Sequence, residues 1–152
     1  MSTTTSLERF APIVVDDPAD SRLDDIRNLN KSDSRPDLPG GKGLVIAEGT
    51  LIVPRLVRSR FPLRAVFGTR QKLASLADGL TASEAAIAET VPWFELDREV
   101  LAAAAGFDLH RGLLATADRA PELSVDQVLS GATTLAVMEG VGDHENIGAL
   151  FR

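Results

Sequence analysis

The sequence predicts an α/β fold in which helices cover both faces of a largely parallel or mixed sheet, and three observations carry that reading. Between Gly43 and Ala117, apolar runs of strand length alternate with stretches whose apolar residues recur at helical spacing. Helix-starting residues (Thr69, Thr81, Asp97) and a helix-stopping Gly106 punctuate those runs. A content of 44% hydrophobic and 25% charged residues suits a soluble chain able to bury a core. Parallel pairing needs crossovers of about a dozen residues, usually helical, and the spacing supplies them.

In chain order, residues 1–10 are expected as a frayed tail and Ala11 to Val15 as a short edge strand. Leu23, Ile26 and Leu29 recur every three residues behind Asp20 and Ser21, which predicts a helix from Asp20 to Asn30. Lys31 to Gly43, polar and rich in Pro and Gly, reads as a loop. Gly43 to Ala47 is a buried strand, and Leu51 to Arg60 a helix that Pro54 delays or kinks. Arg64 to Gly68 is the next strand, followed by a helix from Arg70 to Ala77 with Leu73, Leu76 and Ala77 inward. Within Leu80 to Thr90, Thr81 and Glu84 have capping-box spacing, so a short extra helix fits there. Val91 to Leu96 is a strand with Trp93 in a core role. Asp97 caps a helix running to Ala105, and Gly112 to Ala117 closes the sheet.

A second unit follows. Asp118 to Leu123, with Pro121, reads as a linker, and Ser124 with Gln127 opens a helix that stops at Gly131. Thr133 to Glu139 is expected as an apolar strand, and the glycine-containing stretch after it leads to a helical start at Ala149 to Arg152. The predicted domains are therefore 1–118 and 124–152, joined by a linker at 119–123.

Several functions are excluded or disfavoured. The chain has no Cys, hence no disulfide, thiolate zinc site or cysteine nucleophile. Its start has no basic segment before an apolar one, and no run of about 18 apolar residues occurs, so neither export nor a membrane span is expected and cytoplasm is the default. No metal is predicted: His110 and His144 are lone imidazoles, and the consecutive Asp143, His144 and Glu145 would point in different directions. The net charge of −6 argues against a nucleic-acid partner, but the charge is segregated. Arg55, Arg58, Arg60, Arg64, Arg70 and Lys72 run without an intervening acid, while Asp16, Asp17, Asp20, Asp24 and Asp25 cluster earlier. Those six cations are candidate phosphate contacts. The competing reading of Arg55 and Arg58 is the solvated face of their helix, and for Glu48 complementing the dipole of the helix at Leu51 is favoured over contacting a nucleic acid.

The most informative stretch runs from Leu135 to Arg152. It would place an Asn amide, a flexible Gly and an Arg at a strand's carboxyl end, where open α/β sheets put their ligands. Asn146, Gly148 and Arg152 reproduce the Asn-x-Gly-x-x-x-Arg first motif of the SpoU (TrmH) family of RNA 2′-O-ribose methyltransferases. Upstream, Leu44-Val-Ile-Ala-Glu-Gly is similar to that family's substrate-domain signature, and Gly106 to Ala115 to the segment that closes the domain. Over roughly residues 12–152 the chain resembles this family.

The resemblance implies a three-layer α/β/α RNA-binding domain like certain ribosomal proteins, followed by the opening strand of a knotted SPOUT methyltransferase domain. It implies transfer of a methyl group from S-adenosylmethionine to a ribose 2′-hydroxyl of rRNA or tRNA by a homodimer, with Asn146 and Arg152 catalytic and Gly148 permitting close backbone approach. The family's later motifs, which build most of the cofactor pocket, lie beyond Arg152, so these 152 residues alone are expected to be inactive. Rival readings are a stand-alone RNA-binding module, a truncated gene product, and a dinucleotide-binding protein. The last is weakened by Glu145 standing where the third fingerprint glycine would be.

Overall fold

The computed structural model describes residues 6–29 and 41–151, and the chain divides into two compact units, Met1–Ala120 and Pro121–Arg152. The first is built on a five-stranded mixed sheet of order β1-β4-β3-β5-β2. Its elements are β1 (Ile13–Val14), β2 (Leu44–Glu48), α1 (Val53–Val57), β3 (Leu63–Gly68), α2 (Arg70–Gly79), α3 (Ala82–Ala88), β4 (Trp93–Glu95), α4 (Arg98–Ala105) and β5 (Leu113–Asp118). β1, β4 and β3 run parallel, while β5 pairs antiparallel with both β3 and β2. Every strand expected in this unit forms, and β1 is indeed an edge.

Alternation along the strands builds two cores. Val66, Trp93, Leu113, Ala115 and Ala117 face one cluster with Val53, Leu56, Leu73, Leu76 and Phe10. Ala65, Phe67, Phe94 and Leu114 face the other, with Leu23, Ile26, Leu101 and Leu109. Helical segments thus seal both faces of the sheet. Trp93 is fully buried, stacks on Phe10 at a centroid distance of 4.0 Å, and donates its indole N–H to the Ala88 carbonyl at 2.9 Å. The aromatic ring finds both an apolar body contact and a partner for its one polar atom.

Several expectations are corrected. Ser6–Phe10 is a 3₁₀ helix, not a frayed end, because Leu7 and Phe10, three residues apart, both seat in the core. The helix expected from Asp20 to Asn30 is a 3₁₀ turn over Ser21–Ile26. The three-residue spacing of Leu23 and Ile26 stacks them on one face in the 3₁₀ period, and Asn28 turns left-handed at φ 54°. α1 is shorter than expected, with Pro54 in its first turn and Arg58 at its end, so Arg60 lies outside it. The extra helix α3 forms with both arms of the Thr81/Glu84 capping box, and Gly106 ends α4 at φ 85°. Thr69 and Asp97 occupy N-cap positions without making a side-chain capping bond. Of the expected Lys31 to Gly43 loop, only 41–43 lie among the described residues; there Lys42 reaches back to the Asp24 and Arg27 carbonyls.

The second unit contains α5 (Val125–Leu129) and α6 (His144–Leu150). Ser124 and Gln127 form a complete capping box, and Asp143 caps α6 through the backbone N–H groups of Glu145 and Asn146. The strand expected at Thr133 to Glu139 is absent. An extended segment becomes a strand only by pairing its backbone groups, and among the described residues nothing pairs with this one. α6 also begins earlier than the expected start at Ala149, because the Asp143 side chain supplies the cap there.

Candidate nucleic-acid interface

Folding brings the acidic run of the sequence onto part of its basic run. Arg64, on β3, forks onto Asp25 at 2.8 and 3.1 Å and reaches Asp118 at 3.0 Å. These bonds, those to Asp25 foremost, hold the guanidinium's pKa well above its ordinary value. The Thr116 hydroxyl also donates to Asp25, at 3.3 Å, so this pair ties the Ser21–Ile26 turn to the sheet. Arg58 meets the buried carboxylate of Glu84 at 3.2 Å. That carboxylate also accepts from the Thr81 backbone N–H at 2.8 Å, the main cause of its lowered pKa, while the Glu84 backbone N–H donates to the Thr81 hydroxyl. Arg70 pairs with Glu95 at 3.0 Å. Arg60 lies 5.5 Å over the Phe61 ring, a cation–π contact. Of the six candidate phosphate contacts, Arg55, Arg60 and Lys72 carry no carboxylate partner among the described residues.

Lys72 belongs to a different neighbourhood. It lines a cavity of about 190 Å³ together with Thr69, Arg98, His110, Arg111 and Gly112. The cavity lies at the carboxyl ends of β3 and β4, beside the first turns of α2 and α4. Arg98 and Arg111 were not singled out from the sequence. They stand far from Lys72 along the chain; the parallel pairing of β4 with β3 brings Arg98 near it, and the return of β5 alongside β3 brings Arg111. A basic residue next to a turn glycine, as in Arg111-Gly112, was the one available signal.

The motif residues lie in the second unit. Asn146 is exposed within α6, its backbone N–H bonded to Asp143 at 3.2 Å. Gly148 sits inside the same helix, and apart from its chain neighbours and that helix's own backbone no described atom stands within 4 Å of where a Cβ would be. Arg152 lies outside the described residues. Within this unit Met138, Gly140, Val141, Gly142 and Ile147 border an open depression of about 500 Å³. A ligand site of that size normally buries most of its occupant and offers convergent polar groups. No charged side chain borders this depression, so the described residues of the second unit do not by themselves fit S-adenosylmethionine.

Among the described residues no three carboxylates or imidazoles gather to hold a metal ion, and no helix is long and apolar enough to cross a membrane. His110 Nδ1 lies 3.7 Å from Asp108.

No protein-family model matches the chain. It is 54% identical over 136 residues to an uncharacterized tRNA/rRNA methyltransferase of Mycobacterium tuberculosis and equally to one of Mycobacterium bovis. In each case the alignment covers 90% of this chain and 45% of the relative, so the chain spans about half the length of the curated relatives it matches. The crystal structure of an rRNA methyltransferase from Sinorhizobium meliloti is similar over 72% of this chain and 38% of that one, with a TM-score of 0.51. At 14% identity that likeness is one of fold alone.

Proposed function

We propose, from the premise that the chain belongs to the RNA methyltransferase family of its curated relatives, that it supplies the RNA-binding part of a SpoU-type 2′-O-ribose methyltransferase acting on rRNA or tRNA. The observation that carries this reading is the 54% identity across 90% of the chain. The SpoU-like segments at Leu44 to Gly49, Gly106 to Ala115 and Asn146 to Arg152 support the finer assignment. In this reading residues 1–118 bind substrate RNA, 119–123 link, and 124–152 open the knotted catalytic domain of a cytoplasmic homodimer. S-adenosylmethionine would supply the methyl group, and most of its pocket would come from parts of the whole protein other than the residues described.

This chain's own residues would then bind RNA and align the reacting hydroxyl. Arg152 would grip the phosphate beside the target ribose and so favour loss of the 2′-hydroxyl proton. A guanidinium stays protonated, so phosphate assistance suits Arg152 better than a literal base role. Asn146 would orient Arg152.

The test uses two proteins. The 152-residue chain should bind structured RNA yet give no heat with S-adenosylmethionine by calorimetry. A chimera in which it replaces the matching stretch of the M. tuberculosis relative should transfer a labelled methyl group to RNA and yield alkali-resistant, 2′-O-methylated dinucleotides. Label recovered only on bases would overturn the ribose assignment. Arg152→Ala in that chimera should lower kcat by about 10² to 10⁴-fold with little change in cofactor affinity, the range for lost positioning and proton-transfer assistance.

A further inference from the structure

We infer that the cavity at the carboxyl ends of β3 and β4 is a phosphate-binding pocket that grips the RNA backbone, with Lys72 and Arg111 as its principal cations; this rests on the RNA-binding reading above and says where on the chain that binding occurs. A chain of net charge −6 has no general attraction for a polyanion. Any phosphate must therefore be held at a place where positive charge converges and is not already neutralised. Half of the basic run fails that condition, since Arg58, Arg64 and Arg70 are engaged by Glu84, Asp25, Asp118 and Glu95, and Arg55 and Arg60 do not line a shared cavity with another cation among the described residues.

The cavity meets it. Three cations, Lys72, Arg98 and Arg111, and the His110 imidazole border one space. Asp108 accepts from Arg98 at 3.3 Å and so offsets one of the three, while Lys72 and Arg111 have no carboxylate partner among the described residues. The space, about 190 Å³, would hold roughly six waters at ~30 Å³ each, enough for a phosphate group with some of its hydration. Thr69 adds a hydroxyl that its own helix leaves unused as a cap.

Two left-handed glycines keep the arrangement open. Gly49 has φ 90°, and a Cβ there would stand 2.6 Å from Arg111 Cδ; the Arg111 side chain lies across the end of β2 only because that position has no side chain. Gly112 has φ 59°, and a Cβ there would enter the space beside Lys72 Cγ at 3.7 Å and Thr69 Oγ1 at 3.8 Å. Both glycines leave room around the two unpaired cations. Both lie at the end of the β2–β5 ladder, where the Gly49 N–H donates to the Leu113 carbonyl and the Gly112 carbonyl accepts from the Thr69 N–H, and the positive φ of each itself favours glycine.

The experiment measures binding of the 152-residue chain to a fluorescein-labelled RNA hairpin by anisotropy across a salt series. Lys72→Ala and Arg111→Ala should each bind several-fold more weakly and each reduce the slope of log affinity against log salt by about 1, the double variant by about 2. Arg9→Ala and Arg22→Ala, cations outside both the cavity and the basic run and each paired with a carboxylate, should leave the slope unchanged. If the control variants lose the slope and the cavity variants keep it, the pocket is wrong while RNA binding stands. Absence of any salt-dependent binding by the unaltered chain would remove both. Should an alanine variant fail to fold, amide NMR shifts of the unaltered chain on adding the hairpin decide the matter: they should centre on Thr69 to Lys72 and His110 to Gly112, and shifts centred elsewhere overturn the assignment.

Discussion

The two units of this chain use the same local device to opposite ends. α3 and α5 each begin with a complete capping box, Thr81/Glu84 in one and Ser124/Gln127 in the other. α3 buries Ala85 and Ala88 against the core, and its box glutamate also holds Arg58. α5 buries nothing, and Val125, Val128 and Leu129 stay exposed. A cap is worth about 1 kcal/mol and sets where a helix starts. Burying one large apolar side chain is worth roughly 1.5–3 kcal/mol, and short helices in water depend on that burial. The difference teaches that capping places a helix whereas packing holds it.

The largest effect that would break this comparison is expected at Trp93. Trp93→Ala should cost about 3–5 kcal/mol, since it removes a fully buried ring, its stack on Phe10 and its bond to Ala88. Val128→Ala in the exposed α5 should stay within about 0.5 kcal/mol. Urea unfolding of both variants is the check, and equal losses would mean the second unit holds a core as strong as the first.

A smaller effect sharpens the contrast between the boxes. Thr81→Ala should lower stability by about 1 kcal/mol, because its helix is part of the cooperative core. Ser124→Ala should leave the main thermal transition in place and lower only far-UV helicity. A shift of that transition comparable to the one at Thr81 would show that the two helices share one cooperative unit.

The smallest effect is one of pH. Asp20 caps the Ser21–Ile26 turn, and bonds from the Arg22 side chain and backbone lower its carboxyl from the ordinary 3.8 to about 2. The folded value lies below the unfolded one, so this contribution is complete above the ordinary value and is lost as pH falls through about 2. Asp20→Asn should therefore unfold earlier than the parent at neutral pH and coincide with it near the lower limit. A gap between the two that persists under acid would remove the carboxylate from the account.

Much of the fold was legible because its signals are local. Thr81 and Glu84 are three residues apart, Gly106 follows its helix directly, and the strands around Val66, Phe94 and Leu114 announce themselves as apolar runs. The Thr133 to Glu139 stretch has the same apolar look and forms no strand, since an apolar run states a preference and only a partner strand satisfies it. The candidate interface was read less well. Arg64 and Arg70 looked free in a run without acids, yet Asp25 and Glu95 arrive from distant segments to pair with them. Lys72 was visible within that run, but its companion Arg111 was not.

By itself the sequence determined the α/β class, the five strands and the helices α1 to α4 of the first unit, and it carries the three segments that resemble those of RNA methyltransferases, because each depends on residues within a few positions of one another. Tertiary structure alone decided that β5 turns back antiparallel between β3 and β2, and with it which charges meet. Coulomb interaction acts over ångströms of space and takes no account of sequence separation, so a basic run is a surface patch only after folding has shown which acids reach it.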